Sequence, residues 1–172
     1  MRESQEEPGR LVAEVVRAAG GSVYGRVKLQ KMFYLIDRIG LGSGLDYEYH
    51  HYGPYSAELT EEIKDAVAFG LIQETPARRV SDGVPYSIFE RPTVELGPSL
   101  GALDRRTGER VLVRMQCESA TVLELAATID WLRTREEVPD WQHELLRRKG
   151  AKAEKSRVDR ALGLLLDLGI DS

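Results

Sequence analysis

Adjacent histidines, adjacent glutamates, one cysteine and a glycine-rich loop are the parts of this 172-residue chain whose residue types could do chemistry. His50 and His51 are neighbours in a stretch that alternates like a strand, so their imidazoles point to opposite faces and cannot readily share a metal ion. His143 is far away in sequence, and one thiol, Cys117, gives a zinc site no support. Glu61-Glu62 and Glu136-Glu137 are also immediate neighbours, which face apart on a helix and read as solvated charge. Gly40-Leu41-Gly42-Ser43-Gly44 looks superficially like a phosphate cradle. It has neither a preceding strand nor the Lys-Ser/Thr pair that would hold phosphate and magnesium, so a connector is expected. Ser119 and Cys117 have no histidine placed near them in sequence to activate a nucleophile. The residues therefore point to no catalytic, cofactor or metal site, and a non-enzymatic protein is expected.

The elements that would position any surface site are more legible. Pro8 suits the first turn of a helix, Leu11, Val12, Val15, Val16 and Ala19 then recur at helical spacing, and Gly20-Gly21 ends the run. A second helix is expected from about Arg26 to Ile39, with Leu29, Met32, Phe33, Ile36 and Ile39 as its stripe. Asp46 to His51 reads as a short strand or extended connector. Gly53 then lets the chain turn, Pro54 suits helix entry, and Ser56 caps a third helix with Leu59, Ile63, Ala66 and Val67 on its core face. Two extended pieces, near Leu71–Glu74 and Pro85–Glu90, predict a β-hairpin turning at Ser81-Asp82-Gly83. Residues 91–101 read as loop, and Leu103, Thr107, Val111 and Met115 favour a helix over a strand. Three further helices follow. One runs from Ser119 and carries Val122, Leu125, Ala126, Ile129 and Leu132. The next holds Trp141, Leu145 and Leu146, and the last, capped by Ser156, holds Val158 to Leu168.

The expected fold class is α+β and predominantly α-helical, with a winged-helix-like core over 8–92, a small β-hairpin, and a C-terminal helical part over 103–170. Together these make one domain, 8–172, behind a frayed segment 1–7. No apolar run nears the ~20 residues that span a bilayer. No hydrophobic stretch follows the charged N-terminus as in a signal peptide. With one thiol, the cytoplasm is the expected compartment.

Lys28-Leu29-Gln30-Lys31, Phe33-Tyr34-Leu35, Tyr52-Gly53-Pro54-Tyr55-Ser56 and the Gly70-Leu71-Ile72 end resemble the Panacea/SocA-like antitoxin superfamily. The C-terminal run Leu123-Glu124-Leu125-Ala126-Ala127-Thr128-Ile129-Asp130-Trp131-Leu132 is similar to the corresponding helix of its YwgA-like branch. The resemblance covers about 10–75 and 118–170, and Met32 departs from it only by a volume-conserving swap for leucine. It implies an antitoxin-like or adaptor-like protein that neutralises or delivers a protein partner, and no enzyme activity.

The motif residues themselves leave two readings open. Lys28, Lys31 and Tyr34 form either a solvated helix face or part of a partner surface. Tyr52 and Tyr55 either cover the core with a wet hydroxyl or anchor a partner. Charge then separates two kinds of macromolecular partner. Glu58, Glu61, Glu62 and Asp65 against Lys64 give the third helix a local charge of −3, and residues 46–65 reach −5. That sign opposes a DNA-reading helix, whose binding releases counterions from phosphates. It suits a basic protein, such as a nucleic-acid-targeting toxin or effector. The alternative, a winged-helix DNA-binding regulator, draws on Arg78 and Arg79 at the hairpin and on Arg147, Arg148, Lys149 and Lys152 in a 145–160 run of charge +5. Both a monomer and a homodimer are compatible with these patterns.

Overall fold

The computed structural model describes residues 7–170, so the frayed segment expected at the N-terminus falls, for 1–6, outside the described residues. Two helices buried on every side organise the fold. α2 (Arg26–Ile39) is buried continuously from Leu29 to Ile36, and α5 (Ala120–Thr134) from Val122 to Leu132. A helix without a solvent face has to be wrapped by other elements. α2 and α5 pack on each other, and one cluster of buried side chains runs from Val12 to Ile170.

On one side, α1 (Arg10–Ala18) packs against α3 (Ala57–Ala68) and α4 (Arg105–Gln116). On the other, α6 (Trp141–Lys149) and α7 (Lys155–Asp167) close over α5, joined by a 3-10 turn, Gly150–Ala153. Side-chain caps begin α3, α4, α5 and α6: Ser56, Asp104, Ser119 and Asp140 each accept an N–H from the first turn. Ser119 is thus a helix cap. α2 stops at Gly40, whose φ of 117° is open to glycine and strained for other residues, and Leu41 N–H returns to Ile36 C=O at 3.1 Å.

The sheet is small. β1 (Ser22–Tyr24), β4 (Gln73–Arg78) and β5 (Pro85–Glu90) form an antiparallel sheet of order β1-β5-β4. Val23 faces Phe89, both fully buried, and places the inner side of the sheet on the core. Pro76 sits in β4, an edge strand, where its missing N–H breaks no ladder. β2 (Glu48–His50) and β3 (Gly53–Tyr55) make a separate hairpin around His51-Tyr52, and β6 (Ser99–Leu100) and β7 (Leu103–Asp104) a minimal third one.

The predominantly helical α+β class is the one read from the sequence, and the bounds of α2 coincide with the expected ones. Four local readings are corrected. Gly53-Pro54-Tyr55 is a strand, so Pro54 does not open α3. β1 completes the expected hairpin as a third strand. Pro8 precedes α1, whose N-cap is Gly9. Ser156 does not cap α7: its N-cap is Glu154, to which the Ser156 hydroxyl donates at 2.9 Å.

Candidate functional site

The motif on α2 is a brace, and each of its polar side chains reaches a different element. Lys28 Nζ donates to the Gln116 carbonyl at the end of α4, at 3.3 Å. Gln30 grips the backbone of Ser56 in both directions, donating to its carbonyl at 2.8 Å and accepting its N–H at 2.9 Å. Lys31 Nζ donates to the Pro54 carbonyl of β3 at 2.6 Å, and Tyr34 donates its hydroxyl to Asp130 of α5 at 2.6 Å. Arg38 joins the same carboxylate at 2.8 Å. Lys31 and Tyr34 are each 1% exposed, which corrects the expectation that they face a partner. Burial beside Asp130 pushes the Tyr34 phenol upward, and burial pushes the Lys28 ammonium downward.

Gly53 is needed at the next link. Its φ is +92°, and a Cβ there would lie 2.8 Å from the buried Thr128 hydroxyl of α5. The close approach lets β3 lie against α5, which brings Lys31 to a buried carboxylate, Glu124. Lys149 Nζ meets Glu124 at 2.9 Å and Lys152 Nζ meets it at 3.2 Å. Two ammonium groups therefore pair with one carboxylate, whose attraction also reaches the Lys31 ammonium. Desolvation, with a smaller push from Lys149, lowers Lys31 to about 8 against the attraction of Glu124.

The basic 145–160 run is consumed by the fold in the same way. Arg147 pairs with Glu144, and Arg148 bridges Glu136 at 2.6 Å and Glu144 at 2.7 Å. Lys155 pairs with Asp159, Arg157 with Glu154, and Arg160 with Glu118. Arg148 and Lys149 also lie over the Tyr49 ring. At the hairpin tip Arg79 pairs with Asp82, and Arg78 donates to the Gly83 carbonyl. The expected free cationic patch is thereby corrected. Lys149 is buried, and Arg147, Arg148, Lys152 and Arg79 each carry a carboxylate.

The acidic helix behaves differently. Glu58, Glu62, Asp65 and Phe69 recur at intervals of three or four residues and so share one stripe of α3. Glu58 accepts the N–H of Asp46 at 3.0 Å and Glu62 accepts the N–H of Gly9 at 2.9 Å. These bonds hold the carboxylates in place without neutralising them. Glu61 is paired with Lys64, whereas Glu58, Glu62 and Asp65 have no cationic partner among the described residues. Phe69 ends the stripe 60% exposed. In the glycine loop the Ser43 N–H and hydroxyl close on Asp37.

Tyr55 is half-buried, shares a hydrogen bond with Thr60 at 2.8 Å and stacks on His50. Tyr52, at the hairpin tip, is 48% exposed with Lys152 over its ring. His50 bonds Glu48 two residues back along β2, and no group of metal-ligating side chains assembles among the described residues. The sequence reading missed Glu124, Asp130 and the role of Gln30. Their signal was two carboxylates inside a helix otherwise apolar on all sides, since buried acids need partners.

The chain is 30% identical over 112 residues to the uncharacterized protein YwgA of Bacillus subtilis (strain 168). The match covers 63% of this chain and 65% of that relative's length. No family model matches.

Proposed function

We propose that this protein is a YwgA-like member of the Panacea/SocA-like superfamily and acts as a non-enzymatic interaction module, antitoxin-like or adaptor-like. Its partner is a basic protein such as a nucleic-acid-targeting toxin or effector, docked on the acidic stripe along one flank of α3. The observation that carries this reading is the set of Glu58, Glu62 and Asp65, without cationic partners among the described residues and ending at exposed Phe69. Carboxylates already fixed by backbone N–H groups lose little freedom on binding, and an exposed ring supplies the apolar anchor that charge alone lacks.

One observation favours a second reading, DNA binding. The order α1-β1-α2-α3-β4-β5, interrupted by the β2–β3 hairpin between α2 and α3, and the sheet order β1-β5-β4 support a winged-helix reading with α3 as the recognition helix. Its weakness is the sign of α3 and the pairing of Arg79, Arg147 and Arg148 with carboxylates.

The test uses Glu58→Gln, Glu62→Gln and Asp65→Asn together, which keep the acceptors that tie Asp46 and Gly9. Cross-linking in the native host, with and without the triple variant, is read by mass spectrometry. The expected result is a basic protein captured by the wild type in a salt-dependent manner and lost in the variant. Equal capture by both chains removes the docking proposal. Salt-dependent anisotropy with labelled duplex DNA, unchanged in the variant, installs the regulator in its place.

A further inference from the structure

On the flank of α3 opposite the acidic stripe, the structure holds a cavity of about 300 Å³. It opens between the start of α2, the Thr60–Lys64 side of α3, the β2–β3 hairpin and Glu74 of β4. Among its lining groups are Lys31, Arg26, Lys64, His50, Tyr52 and Tyr55.

The charge in this wall is unbalanced. The ammonium of Lys31 has three N–H donors, and one of them is satisfied by Pro54. Behind it Lys149 and Lys152 share the single carboxylate of Glu124. Arg26 adds a guanidinium balanced by Glu74, and Lys64 an ammonium balanced by Glu61. The net excess of positive charge is therefore centred on the Lys31 side. The hairpin side is aromatic. His50 and Tyr55 stack with centroids 4.4 Å apart, and Tyr52 presents its ring with Lys152 on it.

We infer that this cavity binds a small anion bearing one planar ring, with the charged head toward Lys31 and the ring against Tyr52 and Tyr55. The volume is at the lower end of ligand pockets, which suits a single-ring molecule. Excess ammonium charge in a sheltered wall favours an anion, and the rings add stacking area that a bare ion cannot use. The site is separate from the α3 stripe, so it stands or falls independently of the proposed partner.

The experiment titrates the full chain with four probes, followed by amide chemical shifts: benzoate, phenyl phosphate, benzyl alcohol and inorganic phosphate. Benzoate or phenyl phosphate is expected to shift Gly53, Tyr55 and Thr60 saturably. Each should bind about tenfold or more tighter than benzyl alcohol or inorganic phosphate. Tyr52→Ala and Lys64→Met, both at the rim, are expected to weaken that binding about threefold or more while the rest of the spectrum is unchanged. Lys31→Met abolishes it, and the rim variants keep the test decisive if that brace variant fails to fold. Benzyl alcohol binding as tightly as benzoate overturns the anion, and inorganic phosphate binding as tightly overturns the ring. Shifts confined to another surface, or no saturable shift with any probe, overturn the site.

Discussion

The contact between Gly53 and Thr128 sets the tolerances of the whole brace. Thr128 is fully buried and its hydroxyl has no hydrogen-bond partner among the described residues. An unpaired buried hydroxyl costs roughly 1–3 kcal/mol. Thr128→Val is therefore expected to raise stability by about 1 kcal/mol in urea denaturation, and a loss of similar size would reveal a satisfied hydroxyl. Gly53→Ala meets two penalties, a φ of +92° and a Cβ 2.8 Å from that hydroxyl, and is expected to cost about 3 kcal/mol. In a Thr128→Ala background the steric half disappears and the backbone half persists. The second cost should then fall by about 1 kcal/mol or more, a non-additivity typical of residues in contact. Gln30→Ala leaves the buried Ser56 N–H without its partner, while the Ser56 carbonyl keeps the Thr60 N–H, and is expected to cost about 2 kcal/mol.

Local periodicity made the helices legible, and non-local contacts hid the rest. α2 could be bounded from the sequence because a 3.6-residue repeat is framed by Gly25 and Gly40. β1 could not, since three residues gain strand character only from pairing with Ile88–Glu90, far along the chain. Gly-Pro before a capped helix has the sequence of a helix entry; the hydrogen bond from Lys31 and the closeness of α5 make it a strand instead. Lys28, Lys31 and Tyr34 have the spacing of a solvated face, and only the packing of α4, α5 and β3 turns them inward. The cationic run misled for a related reason, because three of its carboxylates, Glu118, Glu124 and Glu136, lie far from it in sequence or on other elements. The Lys149–Glu124 pair ties α6 to α5. Lys149→Met leaves buried Glu124 with half-exposed Lys152 alone and is expected to cost about 3 kcal/mol. Adding Glu124→Met should recover most of that loss in the same denaturation assay. Failure to recover would place the value of Glu124 in Lys31 instead of in Lys149.

At the scale of the molecule, the buried lysine and buried phenols give stability an alkaline optimum. Lys31 titrates near 8 when folded and at its ordinary 10.5 when unfolded. Between those values the unfolded chain holds a proton that the folded chain has released, so raising pH favours folding. Lys28 pulls in the same direction. The gain from Lys31 is on the order of 2 kcal/mol between pH 8 and 10. The neutral amine can still donate to Pro54, and Glu124 keeps Lys149 and Lys152, so deprotonation leaves the surrounding contacts in place. Tyr34 and Tyr47 act oppositely. Burial beside Asp130 and Asp37 holds their phenols protonated far above the ordinary range, while unfolded tyrosines ionise near pH ~10. Above that pH the unfolded chain loses protons that the folded chain keeps, and stability falls. Urea midpoints are therefore expected to rise from pH 8 to about 10 and to drop beyond it. Lys31→Met should flatten the rise, and Tyr34→Phe should soften the drop. A midpoint that declines steadily from pH 8 in the wild type would mean that the Lys31 ammonium keeps its charge inside the fold.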